Sequence, residues 1–307
     1  MSWLALGLLS TMLFGLIGTV DKLVLSRYFT NHWAYPFFTS LFFGLYCSII
    51  FLYRIQSGQF YSPSISVTLM ALIPGIAHFI GALFFTRALI VLDASVMFGI
   101  IQINPIFAIL WGWLFFGEIY KPINYAGILL IVVSAVLLSL ERTPDVKHKF
   151  HFSKALIFVV LGTFFKSLSD LFIKLALTDL AYWDAFSISR MGLLFAALTL
   201  LLNKNIRCQI INPIKEHGKK VILIAGVIEF GAVINSMLIV LAFSLGPLAL
   251  VSTTQATMPM FVLGFTQLIN IFKPGLVPVK DYAINTFGKI VLCTCIIAGV
   301  FLIYQYQ

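Results

Sequence analysis

Charged residues are scarce in this chain of 307 residues. Asp, Glu, Lys and Arg make up 10% of it, whereas soluble globular domains contain about 25%. Apolar residues make up 61%, and the mean hydropathy is +1.03. A soluble chain of this composition would lack the polar surface to cover itself. We therefore expect an integral membrane protein, because apolar side chains can face outward when lipid is the solvent.

Motifs of metal, cofactor and nucleotide chemistry are also lacking. The chain contains no HExxH motif, no P-loop and no paired Cys/His cluster, so we expect no metal site, no cofactor and no catalytic residue. Its four cysteines do not form the pattern of a disulfide framework. The net charge of +9 is attributed to the loops of a membrane protein. It includes no clustered basic face, so nucleic acid is not an expected partner. Whether the protein forms a homodimer stays open.

Long apolar runs predict ten transmembrane helices, and the fold class is therefore all-α. A bilayer core about 30 Å thick needs roughly 20 apolar residues per helix. The first run lacks the basic start and the cleavage site of a signal peptide, so we expect it to be a retained helix. The predicted spans lie near 3–25, 34–53, 67–90, 95–115, 123–140, 155–178, 184–202, 220–244, 249–270 and 283–304.

A polar segment divides the predicted helices into two sets of five. It covers residues 141–154, between a first half at 1–140 and a second half at 155–307. A shift of 154 residues places Pro105 on Pro259 and superposes the two shortest connections between helices. Because five is odd, the second half must begin on the opposite side of the membrane. We therefore expect two inverted five-helix repeats, which is the architecture of many secondary transporters.

Two segments resemble the EamA-type repeats of the drug/metabolite transporter superfamily. The first contains Ala88-Leu89, Asn104-Pro105-Ile106-Phe107, Gly117-Glu118 and Gly127-Ile128-Leu129-Leu130-Ile131. The second contains Ala242-Phe243, Met258-Pro259-Met260-Phe261 and Ala298-Gly299-Val300, without a Gly-Glu pair. Arg190 also resembles a basic residue often seen in the second helix of such a repeat, where the first half has Ser40. The resemblance covers nearly the whole chain. It implies a transporter of small metabolites, without naming the substrate.

Ionisable side chains at membrane depth mark the candidate site. Each costs about 2.5–3.5 kcal/mol near the bilayer centre, so it usually belongs to a transport pathway or a buried pair. Lys166, Asp170 and Lys174 are spaced by four and share one face of the sixth helix. One interpretation is a cavity wall in which Asp170 neutralises one lysine and leaves the other for an anionic group. The alternative is an internal ladder of ion pairs. Arg190 is assigned to the same substrate site.

Glu229 and His78 are the candidates for energy coupling. Glu229 lies alone in an otherwise apolar helix, where a buried carboxyl can act as a proton carrier. Its alternative role is a buried pair with Arg190 or a lysine. His78 lies midway along the third helix, where it is either a titrating group or a hydrogen-bonded packing residue.

Polar residues before two prolines complete the predicted substrate site. Gln102 and Asn104 precede Pro105, and Thr254 and Gln255 precede Pro259. Proline removes one helix hydrogen bond and frees a carbonyl group. These side chains are expected either to line a site near the midplane or to satisfy the kinked backbone locally.

The sequence therefore predicts a secondary transporter and not an enzyme. We expect a multi-pass protein of the cell (inner) membrane that moves a small polar or amphipathic metabolite by alternating access, with proton coupling or by exchange. The excess of central positive charge favours anionic or zwitterionic solutes. The expected partners are that metabolite and the lipid bilayer. The alternatives are a channel or receptor-like protein and a membrane-embedded enzyme.

The orientation follows from Lys and Arg residues in the loops. The loops on the side of the two predicted termini contain Arg54 and Lys121. The opposite side contains many more Lys and Arg residues. The positive-inside rule keeps the side richer in Lys and Arg in the cytoplasm and therefore predicts external termini, whereas the resemblance implies cytoplasmic termini. The opposite side has Arg27, Arg142, Lys147, Lys149, Lys154, Lys204, Arg207, Lys215, Lys219, Lys220, Lys273 and Lys280.

Overall fold

The computed structural model describes residues 2–28, 32–60, 63–91, 97, 100–139, 154–218, 220–272 and 286–305. This part of the chain is helical and contains no β-strand. A short 3-10 turn, Leu200–Leu202, follows directly on the helix Tyr182–Thr199. The helices are α1 (Trp3–Tyr28), α2 (Ala34–Gln56), α3 (Ile65–Val91), α4 (Asn104–Phe116), α5 (Pro122–Ser139), α6 (Lys154–Asp179), α7 (Tyr182–Thr199), α8 (Lys204–His217), α9 (Lys220–Leu245), α10 (Leu248–Gln255), α11 (Met258–Phe272) and α12 (Thr286–Gln305).

The described helices form a multi-pass membrane protein, as the composition predicts. Eight helical segments are long and apolar enough to cross a bilayer, α10 and α11 together forming one of them. The apolar helices α4 and α5 are shorter. Large apolar side chains point away from the bundle, and Leu129 and Val227 are 63% and 66% exposed. Such exposure is favourable in lipid, and the helices satisfy their own backbone hydrogen bonds there.

Close helix crossings depend on small residues. Gly75 of α3 and Gly192 of α7 lie in the same crossing, where a Cβ atom on Gly75 would overlap the Ser189 carbonyl oxygen. A Cβ atom on Gly192 would overlap the Leu72 carbonyl oxygen in the same way. The two backbones therefore touch, which is the packing that small residues permit in membranes.

Two helix breaks occur at matching places in the chain. Turns at Gln102–Ile103 and Ala256–Thr257 precede α4 and α11, whose first residues, Asn104 and Met258, are 154 residues apart. A proline occupies the second position of each new helix. Proline disfavours a helical conformation in the residue before it and is well tolerated in the first turn. The kinks predicted from the sequence are therefore complete breaks.

One end of the bundle collects the start of α1 and the end of α12. Gly246, after α9, packs on Trp3, and a Cβ atom on that glycine would lie 2.6 Å from the Trp3 ring. Asn124 of α5 donates Nδ2 to the carbonyl of Ile303 in α12 at 3.4 Å. The Lys174 ammonium of α6 donates to the Gly246 carbonyl at 3.0 Å. We call this side the terminal end, and α6 ends there whereas α1 begins there.

Helix α8 is a correction to the sequence prediction, which treats the segment after residue 202 as a basic loop. Asn203 caps the helix, because its Oδ1 accepts the backbone N–H groups of Asn205 and Ile206 at 3.0 and 3.4 Å. Ile210 and Pro213 are buried, whereas the basic side chains are exposed. The segment is thus an amphipathic helix. Its high polar content conceals the helical periodicity of its apolar residues.

Two predicted features fall largely outside the described residues. The connecting segment at 141–154 lies outside them apart from Lys154, the first residue of α6. The short break expected after the third helix also lies outside them, beyond Val91. The corresponding break in the second half is present, since α9 ends at Leu245 and α10 begins at Leu248.

Candidate functional site

A polar cavity lies in the middle of the apolar bundle. Its volume is about 230 Å³, and α1, α2, α3, α6, α7, α9 and α10 contribute to its walls. Side chains of both polar and aromatic character line it. Six of the ten residues predicted for the site are among them, namely Lys166, Asp170, Arg190, Glu229, His78 and Gln255. We call this space the central cavity.

Arg190 brings a buried positive charge to the central cavity. The residue is 7% exposed, and its Nη2 donates to the Ser236 hydroxyl at 2.7 Å. Its guanidinium carbon lies 5.2 Å from the ring centre of Phe43 and 5.8 Å from that of Phe186. Its Nε has no hydrogen-bond partner among the described residues, and no described carboxylate lies within 4 Å. A buried cation in this state favours an anionic ligand.

Asp170 forms an ion pair within the protein, and the other lysine of the same helix face, Lys174, is paired with Glu118 rather than left for an anionic group. Asp170 Oδ2 accepts Lys166 Nζ at 2.6 Å and Asn104 Nδ2 at 3.3 Å. The lysine lies one helical turn away on α6, and the asparagine comes from the first turn of α4. Asn104 therefore holds Asp170 in place from outside the cavity lining.

Lys174 does not join the central cavity, although the sequence assigns it to the substrate site. Its Nζ donates to Glu118 Oε1 at 2.6 Å, at the terminal end. Eight residues of helix advance about 12 Å, which carries Lys174 well away from Lys166. The partner Glu118 was not predicted as a site residue, because it lies in the other half of the chain.

Two other predicted substrate residues are buried outside the cavity lining. Gln102 is 3% exposed, at the break before α4. Thr254 is fully buried, and its hydroxyl donates to the carbonyl of Val251 at 2.7 Å. Its own carbonyl accepts the Thr11 hydroxyl at 3.1 Å. For Thr254 the geometry matches the second option, local satisfaction of the interrupted backbone.

The central cavity also contains polar side chains that the sequence analysis missed. Ser10 donates its hydroxyl to Asn235 Oδ1 at 2.7 Å, and Ser236 holds Arg190. Ser236 follows Glu229 by seven residues, so the two share one face of α9. That spacing was the signal by which the sequence analysis could have found Ser236. Uncharged polar residues alone do not separate a cavity wall from a helix contact.

An apolar bundle of helices around a small polar cavity defines a membrane protein with a transporter-like fold. Residues 1–140 match the model of the EamA-like transporter family. Over these residues, which form the predicted first repeat, the match bears out the resemblance to the drug/metabolite transporter superfamily.

Comparison with solved structures extends the fold over the whole chain. One crystal structure superposes with a TM-score of 0.64 over 96% of this chain and 95% of its own, at 14% sequence identity. At that identity the likeness concerns the fold alone. A search of curated proteins finds no sequence match.

Proposed function

We propose that this protein is a secondary transporter that moves a small solute bearing a carboxylate or phosphate group through the central cavity. The observation that carries the proposal is the Arg190 guanidinium, a buried cation with no described carboxylate partner on the cavity wall. Planar guanidinium groups bind carboxylates and phosphates through paired hydrogen bonds.

The size and lining of the central cavity favour a metabolite. Its volume of about 230 Å³ lies below the roughly 300–1,000 Å³ of pockets for drug-sized ligands. Phe14, Tyr35 and Phe43 provide apolar walls beside the charged groups. An anionic or zwitterionic solute with a small apolar body matches both features.

We further propose the architecture of two inverted five-helix repeats around this cavity. The opposite directions of α1 and α6 at the terminal end support it, as do the two helix breaks 154 residues apart. The family match covers residues 1–140, the predicted first repeat. Alternating access then corresponds to rocking of one repeat against the other around a midplane site. The proposed location is the cell (inner) membrane.

The test is solute flux in proteoliposomes that contain the purified protein. A thermal-shift screen against small carboxylates, amino acids and phosphorylated metabolites first selects the solutes that stabilise the protein. We expect a selected solute to show saturable uptake and to exchange with the same solute loaded inside. A rate that rises linearly with concentration, without exchange, would indicate a channel instead.

A further inference from the structure

Glu118 lies at the centre of a polar network at the terminal end. Its Oε1 accepts Lys174 Nζ at 2.6 Å and the backbone N–H of Leu248 at 2.9 Å. Its Oε2 accepts the Tyr120 hydroxyl. Lys174 also donates to the Gly246 carbonyl. One carboxylate of the first half therefore binds two elements of the second half, α6 and the break between α9 and α10.

The local backbone aims Glu118 at this network. Gly117 ends α4 with a φ of 61°, in the left-handed region that glycine adopts readily. The N–H of Glu118 then donates to the Gly112 carbonyl at 2.9 Å, and the side chain folds back over Gly112. A Cβ atom on Gly112 would lie 2.6 Å from Glu118 Oε2, so the missing side chain makes room for the carboxylate.

The network is sheltered from solvent without being sealed. The side chains of Lys174 and Glu118 are 15% and 12% exposed, and the Lys174 ammonium lies 4.8 Å from the ring centre of Phe116. Burial, followed by the hydrogen bond to Glu118, raises the pKa of the Tyr120 hydroxyl. Tyr120 therefore stays protonated and keeps donating. Charge-assisted bonds with this degree of shielding are stronger than ordinary surface ion pairs.

The network lines an open pocket that adjoins the central cavity. The pocket, of about 690 Å³, contains Glu118, Tyr120 and Lys174 in its walls and opens at the terminal end. The buried side chain of Phe243 lines both the pocket and the central cavity. Phe243 thus separates the two spaces. It belongs to α9, whose end is held by the contacts to Gly246 and Leu248.

We infer that the Glu118–Lys174 network is a gate, which keeps the central cavity closed toward the terminal end and must break for the cavity to open there. The inference rests on the proposed alternating access. The bonds of the network join the two halves of the chain where the halves meet, and the bulky side chain of Phe243 lies behind them. Nothing else in the described pocket wall joins a carboxylate to an ammonium group across the halves.

The gate can be tested through the accessibility of a cysteine in the central cavity. Ala232 lines that cavity, and Ala232→Cys is placed in a background in which Cys208, Cys293 and Cys295 are replaced by serine. The fourth cysteine, Cys47, is fully buried and is kept. A membrane-impermeant maleimide is added from the terminal side of oriented vesicles, and the labelling rate is measured with the cysteine-depleted parent as the blank.

Glu118→Gln and Lys174→Met are the gate variants, and Lys121→Met is the matched control. Lys121 is an exposed lysine of the same pocket and forms no hydrogen bond or ion pair with Glu118 among the described residues. We expect labelling from the terminal side to rise on the order of tenfold in the gate variants and to stay unchanged in the control. Tyr120→Phe, which removes one hydrogen bond, is expected to give a smaller rise.

Equal labelling rates in Ala232→Cys alone and in its combinations with Glu118→Gln, Lys174→Met and Tyr120→Phe would overturn the gate. If Glu118→Gln fails to fold, Lys174→Met and Tyr120→Phe still decide the question. The assay needs no substrate, so its failure is separate from a failure of the proposed function. Saturable flux with unchanged labelling refutes only the gate, whereas altered labelling without any saturable flux refutes only the transporter.

Discussion

At the scale of single residues, Arg190 determines the proposed substrate class. Replacing it by methionine removes the charge and keeps much of the volume. Bonds to charged groups contribute about 1.5–3 kcal/mol each, so we expect Arg190→Met to lower the apparent affinity for an anionic solute by about 10- to 100-fold. Arg190→Lys is expected to recover part of it, because lysine keeps the charge without the planar fork. The measurement is the KM of exchange in proteoliposomes.

The same variant has a second, independent readout. Because no described carboxylate forms a salt bridge with Arg190, its removal breaks no ion pair, and we expect Arg190→Met to keep or raise the melting temperature. Arg207→Met, on the exposed face of α8, is the matched control and should change neither quantity. A marked loss of thermal stability together with normal exchange would assign Arg190 a structural role.

Glu229 is the residue whose proposed role is energy coupling. It is 6% exposed and lines the central cavity. A carboxylate that carries protons during transport must be reachable from that cavity. We expect Glu229→Gln to abolish accumulation driven by a proton gradient and to leave exchange largely intact, because exchange needs no net proton movement. Accumulation at the wild-type level in this variant would rule out the carrier role. Glu216→Gln on α8, an exposed acid, is the control.

At the scale of helices, the crossing of α3 and α7 makes a stability prediction. A Cβ atom on Gly75 meets backbone atoms of Ser189 and Leu193, which cannot rotate away. Overpacking of this kind typically costs about 1–3 kcal/mol, so we expect Gly75→Ala to lower the melting temperature of the detergent-solubilised protein clearly. Gly264→Ala has no atom within 4 Å of its Cβ and should leave it unchanged. Equal melting temperatures would mean that α3 and α7 can move apart to accept the added methyl group with no loss of stability.

At the scale of the whole molecule, the open question is which side faces the cytoplasm. The terminal end has few basic loop residues, and one of them, Arg54, forms a buried ion pair with Asp184 at 2.7 Å. The exposed basic residues of α8 lie with the richer set at the opposite end. The positive-inside rule therefore predicts external termini. A reporter fused at Gln307 should be active outside, and one inserted at Lys147–Lys149 inside. The reverse pattern would show that the expectation from the family is right.

The sequence by itself determined the class of the molecule and most of its elements. In lipid every backbone polar group must be satisfied within its own helix, so apolar runs of sufficient length give the spans directly. Local spacing also predicted one contact of the site, because residues four apart on a helix meet, as Lys166 and Asp170 do. The segment that became α8 was missed because its polar composition outweighed its periodicity.

Only the tertiary structure decided which charges share a space. Lys174 and Glu118 are 56 residues apart, and Arg190 and Ser236 are 46 apart. No local pattern encodes such pairs, because they depend on how helices cross and how far each side chain lies along its helix axis. Lys174 has the same spacing and the same helix face as Lys166, yet a distance of about 12 Å along α6 places it at the terminal end. Burial of a charge is costly unless hydrogen-bonding or charged groups lie beside it, and packing between helices selects those groups.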